Sequence, residues 1–321
     1  MADSAVYRPA PRRAALRGPA FDQAVPPGGY LWWYLDAQSD DGRHALTVIA
    51  FVGSVFSPYY AWSGRRDPLN HCAINVALYG QRPRRWAMTE RKRSAVSASP
   101  DAFQVGASSV AWQGDSLVIT VRERGAPVPR AIRGTIRVHP VLCPQSVFDL
   151  DTARRHQWQP IAPVARVTVA FSEPALSWQG AGYLDANWAN ESLEAGFADW
   201  TWSRAHTESG ATVLYETRER GGGRAEMALR FRPDGGIESE ALPTSHGLPG
   251  TLWRVPRRVR ADAGASPKLL ETLEDAPFYN RSRVGARLFG EPVEAFHESL
   301  DLDRFAAPWV RVLLPFRMPR L

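Results

Sequence analysis

The chain has 321 residues and only two cysteines, Cys72 and Cys143, far apart in sequence. They make neither a metal-ligand spacing nor a disulfide framework, and read as two reduced, buried thiols. The seven histidines (His44, His71, His139, His156, His206, His246 and His297) never pair at i, i+4 and form no H-E-x-x-H run, so no protein metal site is expected. No apolar run approaches the roughly 18 residues of a membrane-spanning helix. The opening "MADSAVYRPAPRRAALRGPAF" lacks the apolar stretch of a secretory signal. These absences together predict a protein made and kept in the cytosol.

What is present is a globular composition, 44% hydrophobic and 22% charged. The net charge of +6 rests on 39 Lys plus Arg, nearly all of them Arg. Basic clusters fall at Arg12–Arg13, Arg82–Arg85, Glu90–Arg93 and Arg254–Arg260. No helix-turn-helix, zinc module or ribonucleoprotein motif accompanies them, so no nucleic-acid partner is expected. An anionic membrane surface accounts for the same arginines, as does a plain solvated Arg-rich surface.

Helical periodicity is scarce. Short alternating or β-branched segments recur instead, from "HALTVIAFVGSVF" (44–56) through "SSVAWQGDSLVITVRER" (108–124) and "ARVTVAF" (165–171) to "WVRVLLPF" (309–316). Gly114–Asp115 and Gly221–Gly223 read as hairpin turns. "LDTARRHQW" (150–158), with Asp151 as N-cap, and "SPKLLETLEDA" (266–276), opening on Ser-Pro, read as helical connectors. The expected fold is all-β: two lipocalin-like antiparallel β-barrel or sandwich domains with few short helices. The expected boundaries are a basic N-terminal segment at 1–20, a first β domain at 21–152, and a second at 153–321 that carries the site.

The tetrapeptide Tyr-Leu-Asp-Ala occurs twice behind glycine, at Tyr34–Ala37 and Tyr183–Ala186, 149 residues apart. In the second copy Tyr183, Asp185 and Asn187 share one strand face, and His156 and Trp158, two apart, share another. A buried carboxylate costs several kcal/mol unless paired or protonated. Each residue has a structural alternative: Asp185 accepting backbone N–H groups at a barrel end, the tryptophans as core, and His156 as a satisfied structural histidine.

The stretches "DPLNHCAINVALYG" (67–80), "RWAMTER" (85–91), "GYLDANW" (182–188), "LEAGFADWTWSRA" (193–205) and "EDAPFYNRS" (274–282) resemble the acyclic carotenoid 1,2-hydratases of purple photosynthetic bacteria. The resemblance spans about residues 26–317, and it extends to a wider group of two-domain lipocalin-like proteins. It implies cofactor-independent addition of water to the terminal C1=C2 bond of lycopene or neurosporene. The family's His-x-Trp and Tyr-x-Asp pairs match His156, Trp158, Tyr183 and Asp185. Ala189 stands where the family pattern has Gly. Asp36 has no His-x-Trp upstream, so Tyr34 and Asp36 are read as structural.

On that resemblance, Asp185 is expected to protonate C2 and to need burial to hold its proton near neutral pH. Trp158 or Trp188 would face the tertiary cation. His156 would take the proton of the attacking water, and Tyr183 would hold the acid or the water. The roles of Asp185 and His156 are interchangeable at this level. Asn187, Trp200 and Trp202 are the further substrate-binding candidates. The barrel interior is expected to take one end of the polyene. An Arg-rich surface with Tyr59, Tyr60 and Trp62 would dock on the cytoplasmic face of the inner or photosynthetic membrane. Three alternatives remain: a pericyclase or other isomerase on the same scaffold, a non-catalytic carotenoid or lipid carrier, and a glycosidase pairing Asp185 with Glu191 or Glu194.

Overall fold

The computed structural model describes residues 18–80 and 84–321. Residues 1–17, with Arg12–Arg13, and residues 81–83, with Arg82, lie outside it. The first twelve strands are β1 (Tyr30–Ser39), β2 (His44–Val52), β3 (Cys72–Gly80), β4 (Arg85–Arg91), β5 (Val96–Ser99), β6 (Ala102–Val105), β7 (Ser108–Gln113), β8 (Ser116–Arg124), β9 (Ala131–Leu142), β10 (Phe148–Asp149), β11 (His156–Glu173) and β12 (Ala175–Ala189). They form one antiparallel sheet in the order β4-β3-β2-β1-β12-β11-β9-β8-β7-β6-β5, with β10 on β11. The sheet curls until β4 approaches β8 and β3 approaches β6, an almost closed barrel.

A second run comprises β13 (Phe197–Thr207), β14 (Gly210–Glu219), β15 (Arg224–Phe231), β16 (Ile237–Ser239), β17 (Thr244–Gly247), β18 (Arg258–Ala261), β19 (Lys268–Asp275), β20 (Tyr279–Leu288) and β21 (Glu291–Asp301). Seven of these make a sheet ordered β16-β15-β14-β13-β21-β20-β19, and β17 and β18 pair as a ribbon. Short helices are α1 (Pro58–Trp62), α2 (Leu193–Gly196), α3 (Leu302–Ala306) and α4 (Pro308–Leu313). The architecture is all-β and lipocalin-like, with two sheet systems.

The described chain divides into two compact units, one holding 18–148, 155–192 and 312–321, the other 149–154 and 193–311. The sequence-based boundary at 152/153 assigned β11 and β12 to the second half. The structure inserts this long hairpin between β9 and β1 of the first sheet. The distal half of β11 explains why it pairs there. Ala165, Val167, Val169 and Phe171 are buried while Arg166, Thr168, Ala170 and Ser172 are exposed, the signature of a strand with one face on a core. Register shifts between Pro160 and Ala165 separate that half from His156–Gln159, consistent with prolines that cannot donate to the ladder.

The inward face of the first sheet packs Leu31, Trp33, Leu35, Val48, Ile74 and Leu184, among others, into one apolar cluster. Side chains therefore fill the interior expected to receive the polyene. Gly114–Asp115 does turn β7 into β8, with Gln113 opposite Ser116. Residues 150–155 form turns rather than a helix, and His156 already begins β11. Residues 268–275 form β19, because pairing along β20 outweighs the local helical spacing. Residues 309–316, expected as a strand, are instead α4 and a 3-10 turn entered through Pro308. Cys72 is buried and Cys143 half-buried, both as free thiols, and burial pushes each up to about 12.

Candidate active site

Directly opposed residues of an antiparallel pair project from the same face. In the β1–β12 ladder Tyr34 opposes Asp185, Leu35 opposes Leu184 and Asp36 opposes Tyr183. The two Tyr-Leu-Asp-Ala copies are thus antiparallel neighbours within one sheet. Leu35 and Leu184 turn into the apolar cluster. Tyr34, Asp36, Tyr183 and Asp185 stand on the reverse face, and all four are buried. The glycines behind each copy permit this crossing. A Cβ on Gly180 would lie 1.8 Å from the Gln38 carbonyl oxygen, and one on Gly29 would lie 2.4 Å from that of Ala189. β11 completes the face from the other side of β12, with His156 opposite Ala189 and Trp158 opposite Asn187.

Two donors converge on one carboxylate oxygen. The Tyr183 hydroxyl and the Trp158 Nε1–H each donate to Asp185 Oδ2 at 2.8 Å. Burial, the charge and hydrogen bond of Asp185, and the charge of Asp36 hold the Tyr183 phenol well above its ordinary value. Tyr183 is therefore a neutral O–H donor at any working pH. In the first copy the Tyr34 hydroxyl donates to Asp36 Oδ2 at 2.9 Å.

His156 is fully buried and bridged at both nitrogens. Its Nε2 lies 3.0 Å from Glu191 Oε1, and its Nδ1 lies 2.9 Å from the Tyr30 hydroxyl. Glu191 also accepts from Arg155 at 2.9 Å. An ionised carboxylate can only accept, which assigns the imidazole proton to Nε2 and makes Nδ1 the acceptor from Tyr30. Aromatic rings line the same face. Tyr30 and Trp32 stack at 4.8 Å, Trp32 meets Phe51 edge-on at 6.2 Å, and Phe148 packs 5.2 Å from Trp158.

The structure thus gathers His156, Trp158, Tyr183, Asp185 and Asn187 on one face of the first sheet system. Trp188 projects from the opposite face and packs on the apolar cluster. Trp200 and Trp202 are buried on β13, in the other unit, where Trp200 meets Phe197 and Tyr215. Sequence reasoning passed over Tyr30 and Trp32, weighed Glu191 only as a glycosidase acid, and set Tyr34 and Asp36 apart from the site. The period-two run Tyr30, Trp32, Tyr34, Asp36 was the available signal, since it repeats the spacing of Tyr183, Asp185 and Asn187. Among the described residues no group of three or more His, Cys, Asp or Glu side chains is placed to hold a metal ion.

The fold and this buried polar face define the class first, lipocalin-like two-sheet β proteins. A putative AttH from Nitrosomonas europaea superposes with a TM-score of 0.61 at 14% identity, over 92% of this chain and 99% of that one. Kievitone hydratase from Nectria haematococca gives a TM-score of 0.54 at 10% identity, over 87% and 92%. At those identities the likeness shows the fold alone.

Sequence carries the assignment further. The carotenoid hydratase CrtC family model matches residues 48–321. The acyclic carotenoid 1,2-hydratase of Thiocapsa roseopersicina is 54% identical over 309 residues, 95% of this chain and 76% of that protein. The enzyme of the same name from Cereibacter sphaeroides is 39% identical over 278 residues, 85% and 98%. The chain belongs to the acyclic carotenoid 1,2-hydratase family and is a hydro-lyase.

Proposed function

We propose that the protein adds water across the terminal C1=C2 bond of lycopene or neurosporene by acid catalysis, with Asp185 as the acid. The convergence of Tyr183 and Trp158 on Asp185 Oδ2 is the observation that carries this reading. Two donors occupy Oδ2 as an acceptor, so the transferable proton of the neutral acid sits on Oδ1. That proton goes to C2, leaving the cation on tertiary C1. A trisubstituted alkene is a weak base, so the donor must be fixed in place, as a buried carboxyl held by two side chains is. Trp158 and the stacked Tyr30–Trp32 pair present electron-rich rings on the same face, and a cation–π contact of this kind supplies about 2 kcal/mol when desolvated.

Water then attacks C1 and must lose a proton. Both nitrogens of His156 are engaged, so the base acts through the Tyr30 hydroxyl: Tyr30 takes the water proton as it passes its own to Nδ1. Glu191 holds the other nitrogen and stabilises the imidazolium. The net change is one added water. The proton left on His156 returns to Asp185 before the next turnover. The sequence of events is redox-neutral and uses only side chains of the chain.

The polyene substrate is a bilayer solute, which supports a peripheral enzyme working at the cytoplasmic face of the inner or photosynthetic membrane. Among the described residues no helix is long and apolar enough to cross a bilayer. Of the aromatic loop expected to dock, Tyr60 is buried and donates to the Gly29 carbonyl at 2.8 Å, while Trp62 is exposed. The direct test is to incubate purified protein with lycopene in detergent, without added cofactor, and to follow the mass gain of one water. An unchanged polyene would overturn the reading. A rearranged product of unchanged mass would favour an isomerase on the same scaffold.

A further inference from the structure

Between Arg122 and Arg133 the chain holds four arginines and one acid. β8 and β9 alternate there, so Val121, Glu123 and Ile132 are buried while Arg122, Arg124 and Arg133 are exposed. The one acid turns inward, where Glu123 Oε1 accepts from the Ser108 hydroxyl at 2.7 Å and Oε2 lies 3.5 Å from Arg91. Arg122 stands directly opposite Arg133 in the ladder. Like charges so placed weaken a strand pair. Glu173, 3.0 Å from Arg133, offsets one of them. Among the described residues no carboxylate pairs with Arg122, Arg124 or Arg130.

The turn that joins these two strands is apolar. Residues 126–129 read Ala-Pro-Val-Pro, and Pro127, Val128 and Pro129 are exposed, Val128 to 57%. The turn is held by its own backbone, with Gly125 N–H donating to the Arg130 carbonyl and Arg130 N–H to that of Val128, both at 2.8 Å. β4 borders its base, for a Cβ on Gly125 would lie 3.0 Å from the Trp86 carbonyl oxygen. The half-buried Trp86 ring carries the guanidinium of exposed Arg317 at 4.2 Å. All these residues belong to one compact unit. A lone exposed valine is ordinary, but an apolar tip flanked by arginines on both strands offers two kinds of contact at one place. Its apolar atoms suit the acyl boundary of a bilayer and its cations suit the headgroups.

We propose that the β8–β9 hairpin docks the protein on an anionic lipid bilayer, with Pro127–Pro129 entering the interface and Arg122, Arg124 and Arg130 on the headgroups. Arginines without a protein counter-ion are drawn to a negative surface, and headgroups over Arg122 and Arg133 relieve the repulsion between them. A nucleic acid would answer the charge but leaves the Pro-Val-Pro tip without a role. The inference rests on the reading above that the substrate is borne in the bilayer. It names docking residues other than those of the Tyr59–Trp62 loop.

The test is flotation of the full chain with phosphatidylcholine vesicles, with and without phosphatidylglycerol. The wild type should float with the anionic vesicles, less with the neutral ones, and less with the anionic ones once salt is raised. The Arg124→Glu/Arg130→Glu variant should partition at least about tenfold less into anionic vesicles. Val128→Asp, which leaves every arginine in place, should lose roughly fivefold, because a charge now sits at the inserting tip. All three substituted side chains are exposed, so the fold is spared. Both variants should hydrate lycopene in detergent micelles at the wild-type rate and lycopene in anionic vesicles more slowly. A wild type that stays unbound with anionic vesicles, or a charge-reversed variant that floats equally well, would overturn the proposal. So would a Val128→Asp variant that floats like the wild type while the wild type also retains a duplex oligonucleotide, since the patch would then be one for polyanions. If micellar hydration is absent in the wild type, the enzymatic reading fails while flotation still decides the docking surface.

Discussion

Tyr34 lies directly across the β1–β12 ladder from Asp185, and Asp36 from Tyr183, so each Tyr-Leu-Asp-Ala copy sets its tyrosine against the other's acid. This local two-fold arrangement brings two carboxyls to one buried face. Their surroundings differ. Asp185 Oδ2 accepts from both Tyr183 and Trp158, and Asp36 Oδ2 accepts from Tyr34. β11 supplies the difference, for it borders β12 and not β1.

Asp185→Asn keeps size and hydrogen bonding but cannot protonate an alkene. Product formation from lycopene should fall at least about a hundredfold, the usual scale for removing a general acid, while lycopene binding persists. Asp36→Asn should cost less than about tenfold, because it leaves the Trp158–Asp185–Tyr183 contacts in place. Single-turnover assays on both variants check this. An inactive but folded Asp36→Asn beside an active Asp185→Asn would exchange the roles of the two acids.

Much of this face was legible in the sequence, and the reason is periodicity. Tyr183, Asp185 and Asn187 at spacing two, and His156 and Trp158 likewise, give each set's common side without coordinates. Which strands are neighbours was not legible. Register is set by long-range pairing, and a four-residue repeat fits equally with two similar domains or with one antiparallel pair. The choice of the former put Asp36 in a different domain and hid Tyr30 and Trp32. It also reverses the sheet, since the polar face then reads as the barrel interior, which in fact holds Leu35 and Leu184. The strand at 268–275 was missed for a related reason. Its leucines also fit a helix, and only the partner strand β20 decides between them.

Tyr30→Phe removes one oxygen from the proposed proton path and leaves the stacking on Trp32. It should lower kcat by roughly ten- to a hundredfold with KM unchanged, since the group acts after substrate is bound. Glu191→Gln should cost less than Tyr30→Phe, because it weakens only the support of the imidazolium. Wild-type kcat in Tyr30→Phe would remove His156 from the base role.

The proposed hydration through Asp185 calls for no metal ion or nucleotide. Activity on lycopene should survive EDTA and exhaustive dialysis. Turnover that disappears and returns only with an added divalent ion or nucleotide would rule out a mechanism by side chains alone.

The other unit holds a buried histidine of its own. His297 is buried between Ser203, whose Oγ is 2.7 Å from Nδ1, and Ser299, whose Oγ is 3.1 Å from Nε2. Burial, reinforced by the charge of Arg257, lowers His297 from 6.5 to about 3. A folded-state value below the unfolded one means that the unfolded chain binds the extra proton. The stability due to neutral His297 is therefore complete above pH 6.5 and is lost as the pH falls toward 3. Between the unfolded value and about pH 4.5 the loss should be about 3 kcal/mol, at 1.36 kcal/mol per unit. Urea unfolding of the wild type across that window, followed by far-ultraviolet circular dichroism, should show this slope. His297→Gln can still bond both serines but cannot take a proton. It should be somewhat less stable at neutral pH, and the acid slope of this transition should flatten. An unchanged slope in the variant would place the titrating group elsewhere.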